Sequence, residues 1–254
     1  MSAQLHIMAL DGVPLIKPGD DLASIINNSL QSQSLTLQNG DILVLAQKIV
    51  SKAENRLVDL DSVSPGEQAL ALAKQVDKDP RLVELILSES RSVIRQKPGV
   101  LITEHRLGWI MANAGIDASN VGDDNRVLLL PVDSDQSCIE LRSQFNTRCK
   151  ADIGVIINDS FGRPWRLGTT GVALGAAGIP SLWDRRGERD LFDRELKTTQ
   201  QAVADDLAAA ASLLQGQGAE GRPVILIRGF NLALQLPASP ARALLREQSE
   251  DMFR

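Results

Sequence analysis

Runs of apolar residues broken by polar turns set the layout of the chain. Three runs, "ILVLA" from Ile42, "VII" from Val155 and "VILI" from Val224, carry consecutive apolar positions rather than alternating ones. That pattern predicts strands covered on both faces. "QLHIMA", "VLIT" from Val100 and "RVLLL" from Arg126 read as further strands. Helical spacing appears in "DDLASIINNSL", "DSDQSCIELRSQFNTR" and the Ala/Leu stretch "AVADDLAAAASLLQ". "SPGEQALALAKQV" reads as a helix with Ser64 as N-cap, Pro65 at the first position and Glu67 closing a capping box. "DPRLVELILSESRSVIR" reads as a second amphipathic helix opened by Asp79-Pro80, and the tail after Pro237 as one short helix. Strands and helices do not alternate strictly. The expected class is α+β with mixed sheets, in two lobes that share strands and interleave in sequence, without a P-loop or a Rossmann core.

Composition narrows the functions. The chain has 254 residues, 43% hydrophobic and 23% charged, as expected of a soluble globular protein. A net charge of -5 and an aromatic content of 3% argue against a nucleic-acid binder. The N-terminus lacks a basic stretch and a long apolar run, and no segment is apolar over the roughly 18 residues a membrane span needs. With 2 cysteines, Cys138 and Cys149, flanking an expected helix, the reading is reduced thiols in the cytoplasm.

The chain has 2 histidines, His6 and His105, so a His-based triad or zinc site is not expected. Carboxylates, amides, lysines, arginines and backbone N–H groups must carry the chemistry, a set suited to phosphoryl transfer with a hard metal. Val13, Pro14, Leu15 and Ile16 follow an Asp11-Gly12 turn and read, from the residues alone, as a plain turn before a strand. Gln47, Lys48 and Lys52 end a strong strand, where lysines neutralise phosphate or simply solvate the strand end. Asp117 and Asn120 stand three apart, able to reach one ion from a helical turn or to form an Asx turn. In "VIINDSFGRPWRLG" a core strand runs into Asp159 and Ser160, oxygen ligands for Mg²⁺, with Arg163 and Arg166 close behind. Gly216, Gly218 and Gly221 offer backbone N–H groups toward an anion such as phosphate, where one glycine would cap the helix.

"DGVPLI", "GDILVLAQKIVSKAE", "ITEHRLGWIMANAGIDASNV", "INDSFGRPWRLGTTGVALGAAGI" and "LLQGQGAEGRPVILIRG", in this order, resemble the coenzyme F420-0:L-glutamate ligase (F420 γ-glutamyl ligase) family from about Leu5 to Phe230. The resemblance implies a GTP-dependent ligase that adds L-glutamate to coenzyme F420-0, then further γ-linked glutamates. It implies Mg²⁺ or Mn²⁺ with K⁺ assisting, and an intertwined homodimer. GTP would meet Val13, Pro14, Leu15, Ile16, Gln47, Lys48, Lys52 and Asn120. It would also meet Gln215, Gly216, Gln217, Gly218, Ala219, Glu220, Gly221 and Arg222. Metals would meet Asp117, Asp159, Ser160 and Gln217. Asp117, Asp159 and Lys52 are the expected catalytic set. A same-fold ligase for another carboxylate-bearing precursor, and a non-catalytic GTP- and metal-binding regulator, are the alternatives.

Overall fold

The computed structural model describes residues 4–122, 125–231 and 236–252. A five-stranded sheet forms the centre, in the order β1 (His6–Ala9), β12 (Val224–Arg228), β2 (Ile42–Ala46), β8 (Gly154–Arg163), β9 (Arg166–Ala177). β2 and β8 run parallel, and every other neighbouring pair is antiparallel. The three apolar runs of the sequence lie in the three inner strands, and apart from Ala46 their side chains are buried, as in a sheet covered on both faces. The fold is mixed α+β, with separate small sheets β3 (Leu57–Asp59) with β7 (Arg126–Leu128), β4 (Ser90–Lys97) with β5 (Val100–His105) and β6 (Ile110–Ala112), and β10 (Trp183–Asp184) with β11 (Gln200–Gln201).

Two glycines of β9 show how the helices close on this sheet. A Cβ at Gly171 would lie 2.4 Å from the Ala208 carbonyl oxygen of α6 (Val203–Gln215). A Cβ at Gly175 would lie 2.2 Å from the Ser134 carbonyl oxygen of α5 (Ser134–Cys149). In a regular strand both residues would face the same way. Ile157 pairs with Gly175 but Asn158 pairs with Ala173, so β9 carries an extra residue there. That bulge reverses the alternation and sends the two glycines to helices on opposite faces.

The described residues hold two hydrophobic clusters. The larger surrounds the central sheet with α1 (Leu22–Ser32), α2 (Gln47–Ala53), α5 and α6. The smaller lies within the continuous stretch 60–129, around α3 (Glu67–Val76), α4 (Pro80–Ser88) and β5. Between them lies Glu89, the residue after α4. Its Oε2 accepts from Arg56 Nη2 at 3.0 Å and Arg106 Nε at 3.1 Å, and faces His105 Nε2 at 3.4 Å. Arg56 also donates to the Leu130 carbonyl at 2.8 Å, so the cluster ties both cores together.

Several local expectations need correction. Ser64 is not the N-cap of α3; Gly66 takes that place without a side-chain cap, and Glu84 accepts its N–H at 2.8 Å. Asp79 does cap α4, with Pro80 as its first residue. That helix stops at Ser88, and residues expected to continue it form β4. Ser88 and Ser90 hydroxyls bond to the carbonyls of Leu85 and Ile86, competing with further helix. Gln47, Lys48 and Lys52 belong to α2 rather than to a strand end. Cys138 lies inside α5 and Cys149 is its last residue; both are free thiols. Instead of one helix, the described tail has two 3-10 turns, Ala241–Leu244 and Gln248–Glu250; residues 253 and 254 lie outside the described ones. No helix among the described residues is long and apolar enough to cross a membrane.

Candidate active site

The carboxyl ends of the parallel pair β2 and β8 define one edge of the sheet, and the sequence-predicted stretches gather there. Ala46, the last residue of β2, pairs with Asn158, so α2 starts beside the point where Asp159 leaves the shelter of β2. Leu10, just after β1, donates to the Val224 carbonyl at the start of β12. This brings residues 11–16 and the loop 216–223 to the same edge. Open α/β sheets bind ligands beyond their strand carboxyl ends for the same geometric reason.

Lys48 and Lys52 lie one helical turn apart on α2 and both reach the 117–120 loop. Lys48 Nζ lies 2.6 Å from Asp117 Oδ2 and donates to Ser119 Oγ at 2.7 Å. Lys52 Nζ donates to the Asn120 carbonyl at 2.7 Å. Burial lowers the proton affinity of Lys52, the neighbouring Lys48 charge lowers it further, and Asp117 opposes both. Asp117 itself is held by a bridge to Leu128, N–H to carbonyl at 3.0 Å and 2.8 Å. Its Oδ1 accepts the Ser119 N–H at 3.0 Å and hydroxyl at 2.8 Å. The loop is therefore an Asx turn, with Asn120 at φ 57°, and not the helical turn that would aim Asp117 and Asn120 together.

β8 does not end at Asp159 and Ser160; it continues to Arg163 in a hairpin with β9. Alternation along β8 sends neighbouring residues to opposite faces. Asp159 turns toward Asp117 and Lys48, whose charges both act on its carboxyl. Burial pushes that carboxyl up to about 6, with Asp117 reinforcing the rise and the Ser160 N–H and Lys48 opposing it. Asn158 and Ser160 turn the other way, toward the end of α6. Ser160 Oγ donates to Gln217 Oε1 at 2.8 Å, and Thr169 Oγ1 approaches the same oxygen at 3.5 Å. Asn158 and Gln215 exchange two side-chain hydrogen bonds, at 2.8 Å and 3.0 Å. The four oxygen ligands expected for metal thus divide between the two faces of β8: the Asp117 charge acts on Asp159 on one, and Ser160 meets Gln217 on the other.

Other expected residues are placed less closely. Ile16 is buried and Val13 packs on the main core, whereas Pro14 and Leu15 are exposed. Gln47 is buried; its Oε1 accepts from Ser51 at 2.8 Å and its Nε2 has no partner. In the exposed loop after α6, Gly218 N–H donates to Glu220 Oε2 at 2.8 Å. The N–H groups of Glu220 itself, Gly218 and Gln217 hold the Glu220 carboxyl below its usual range, so the loop wraps an anion of its own. Arg163 and Arg166 pair across the hairpin tip, about 13 Å along the strand from Asp159 at roughly 3.3 Å per residue. His105 is fully buried against Glu89 and its Nδ1 accepts the Leu107 N–H at 3.0 Å, a packed residue rather than a base. One member of the site escaped the sequence reading: Ser119, hidden between Asp117 and Asn120.

A profile for F420-0:γ-glutamyl ligase matches residues 12–229. The chain belongs to this family. Its relatives include coenzyme F420:L-glutamate ligase of Methanopyrus kandleri, 46% identical over 98% of this chain and 99% of that protein. Those of Methanothermobacter thermautotrophicus (98% and 99% covered) and Methanocaldococcus jannaschii (99% and 97% covered) are 44% and 40% identical. Lys48, Lys52, Asp117 and Asp159 of this F420-0:γ-glutamyl ligase family member lie within the matched span, which also takes in the loop after α6.

Proposed function

We propose that this protein is a GTP-dependent ligase that joins L-glutamate to the terminal carboxylate of coenzyme F420-0, in coenzyme F420 biosynthesis. The observation that carries the reading is that Lys48 and Lys52 reach the 117–120 loop, with Lys48 on Asp117, at the carboxyl edge of the sheet where the Asp117 and Lys48 charges act on Asp159. The family description supplies F420-0 as acceptor, and the names of the relatives supply L-glutamate.

The donor set fits a divalent cation. Lys48 sets a positive charge 2.6 Å from Asp117, while burial, reinforced by the Asp117 charge, raises the Asp159 carboxyl to about 6, so a cation there would relieve it. All the candidate ligands are oxygens, which suits Mg²⁺ or Mn²⁺. Among the described residues no group of three His, Cys, Asp or Glu could hold an ion alone, so nucleotide oxygens would complete the shell. When bound, the metal neutralises charge on the transferring phosphoryl group.

A carboxylate is a poor electrophile. In the proposed reaction its oxygen attacks the γ-phosphorus of GTP, the bond to the bridging oxygen breaks, and GDP leaves. The amine of L-glutamate then attacks the acyl carbon of the acyl phosphate, expels inorganic phosphate and releases a proton. Lys48 and Lys52 hold the phosphates by charge-assisted hydrogen bonds, leaving their present partners Asp117, Ser119 and Asn120 as the nucleotide enters. K⁺ assists as a second cation. A homodimer would cover Trp165 and Leu167, exposed at the tip of the β8–β9 hairpin. Phosphate release from GTP that requires both F420-0 and L-glutamate tests the reading. Release with another acid in place of F420-0 would replace the substrate, and no release with any acid would remove the activity.

A further inference from the structure

The pair Asn158 and Gln215 lies beside the proposed site but offers it nothing. Asn158 is 3% exposed, in a strand otherwise apolar up to that point. A buried amide costs stability unless each of its groups is partnered. Asn158 Nδ2 donates to Gln215 Oε1 at 2.8 Å and to the Ala208 carbonyl at 3.3 Å, and its Oδ1 accepts from Gln215 Nε2 at 3.0 Å. Gln215 is the last residue of α6, directly before the glycine loop, and both ends of its amide are used. Two residues further along the chain on each side, Ser160 meets Gln217 at 2.8 Å. The two contacts are rungs between one face of β8 and the start of the loop.

We propose that Asn158 and Gln215 are positioning residues: an amide clasp that fixes the register of the 216–221 loop against the strand carrying Asp159. This rests on the reading of that loop as a nucleotide phosphate site and deepens it. Gln215 then acts through Asn158 rather than by touching the nucleotide. Loss of the clasp releases the loop while Lys48, Lys52, Asp117 and Asp159 stay on α2, the 117–120 turn and β8. The burden falls on GTP and spares glutamate.

The test uses the full chain with Asn158→Ala, Gln215→Ala, the double variant, and the exchanged pair Asn158→Gln with Gln215→Asn. Hydrogen exchange is followed in the ligand-free proteins, and KM for GTP and for L-glutamate in the active ones. Each single variant should speed exchange in residues 216–222 and raise KM for GTP about tenfold, the worth of roughly 1.4 kcal/mol, with KM for glutamate within about twofold. The double variant should match the worse single one, and the exchanged pair should recover part of the loss. Effects that add in the double variant, or equal rises in both KM values, would overturn the clasp. So would unchanged exchange in the loop. A wild-type protein that never turns over GTP, with loop exchange still responding to both residues, would leave the clasp standing and remove the nucleotide reading instead.

Discussion

Glu89 and Asp159 are carboxylates withdrawn from water beside basic side chains, and their proton affinities move in opposite directions. Burial raises the cost of charge at Glu89, yet His105, Arg106 and Arg56 outweigh it and hold the carboxyl at about 2. At Asp159 burial wins, a second carboxylate adds to it, and the value rises to about 6. The count of partners decides. Two arginines converge on one Glu89 oxygen with the His105 ring facing it, whereas Lys48, whose charge acts on Asp159, is already paired with Asp117. A cluster that satisfies its charge holds structure together; one that leaves charge over is prepared for a ligand that brings the missing cation.

The largest expected effect breaks the comparison on the activity side. Asp159→Ala should lower ligation by about 10⁴-fold, roughly 5.5 kcal/mol of lost transition-state stabilisation, while Glu89→Gln leaves kcat near normal at temperatures where it stays folded. Steady-state kinetics on both variants checks this, and a Glu89→Gln enzyme as inactive as Asp159→Ala would erase the distinction.

Stability should show the reverse order. Glu89 is held below its ordinary range, so its contribution is complete above about pH 4.5 and lost as pH falls toward 2. Glu89→Gln should cost about 3 kcal/mol at pH 7, as expected when a buried ion cluster loses one member. The deficit should shrink in urea melts below pH 4. A variant as stable as wild type at pH 7 would make the cluster incidental.

In the proposed reading Lys52→Ala would remove one charge-assisted contact to phosphate, worth about 2 kcal/mol. GTP affinity should fall roughly 30-fold, with KM for glutamate little changed, by calorimetry and kinetics. Unchanged GTP affinity would leave Lys52 as a lysine that only tethers the Asn120 carbonyl.

The smallest effect has the opposite sign to that of Glu89→Gln. Asp159 is held above its ordinary range, so its ionisation weakens the free protein as pH rises from about 4 through 6. Asp159→Asn, without metal or nucleotide, should gain on the order of 1 to 2 kcal/mol at pH 7.5 and nothing at pH 4. Loss of stability at pH 7.5 would mean that the carboxylate is satisfied after all.

The sequence carried the parts whose signal is local. Continuous apolar runs gave the inner strands, helical periodicity gave α1, α5 and α6, and Asp79-Pro80 gave the start of α4. Asp117, Asp159, Lys48 and Lys52 also stand out in the sequence; Lys48 bridges to Asp117, Lys52 reaches the Asn120 carbonyl, and the Asp117 and Lys48 charges act on Asp159. What was not legible depends on distant partners. The turn of α2 straight out of β2 follows from no periodicity in seven residues. The bulge opposite Asn158, which sends Gly171 and Gly175 to different helices, exists only once β8 and β9 are paired. The grouping of Glu89 with Arg56 and Arg106 has no local signal, because 33 and 17 positions separate Glu89 from its arginine partners.

One measurement bears on the central claim most directly: a mass spectrum of the products formed from F420-0, GTP, Mn²⁺ and L-glutamate by wild-type protein and by Asp159→Ala. The account predicts a product heavier by one or more glutamyl units, together with GDP and phosphate, from the wild type alone. Unaltered F420-0 after exhaustive incubation with the wild type, or the same product from both proteins, would contradict it.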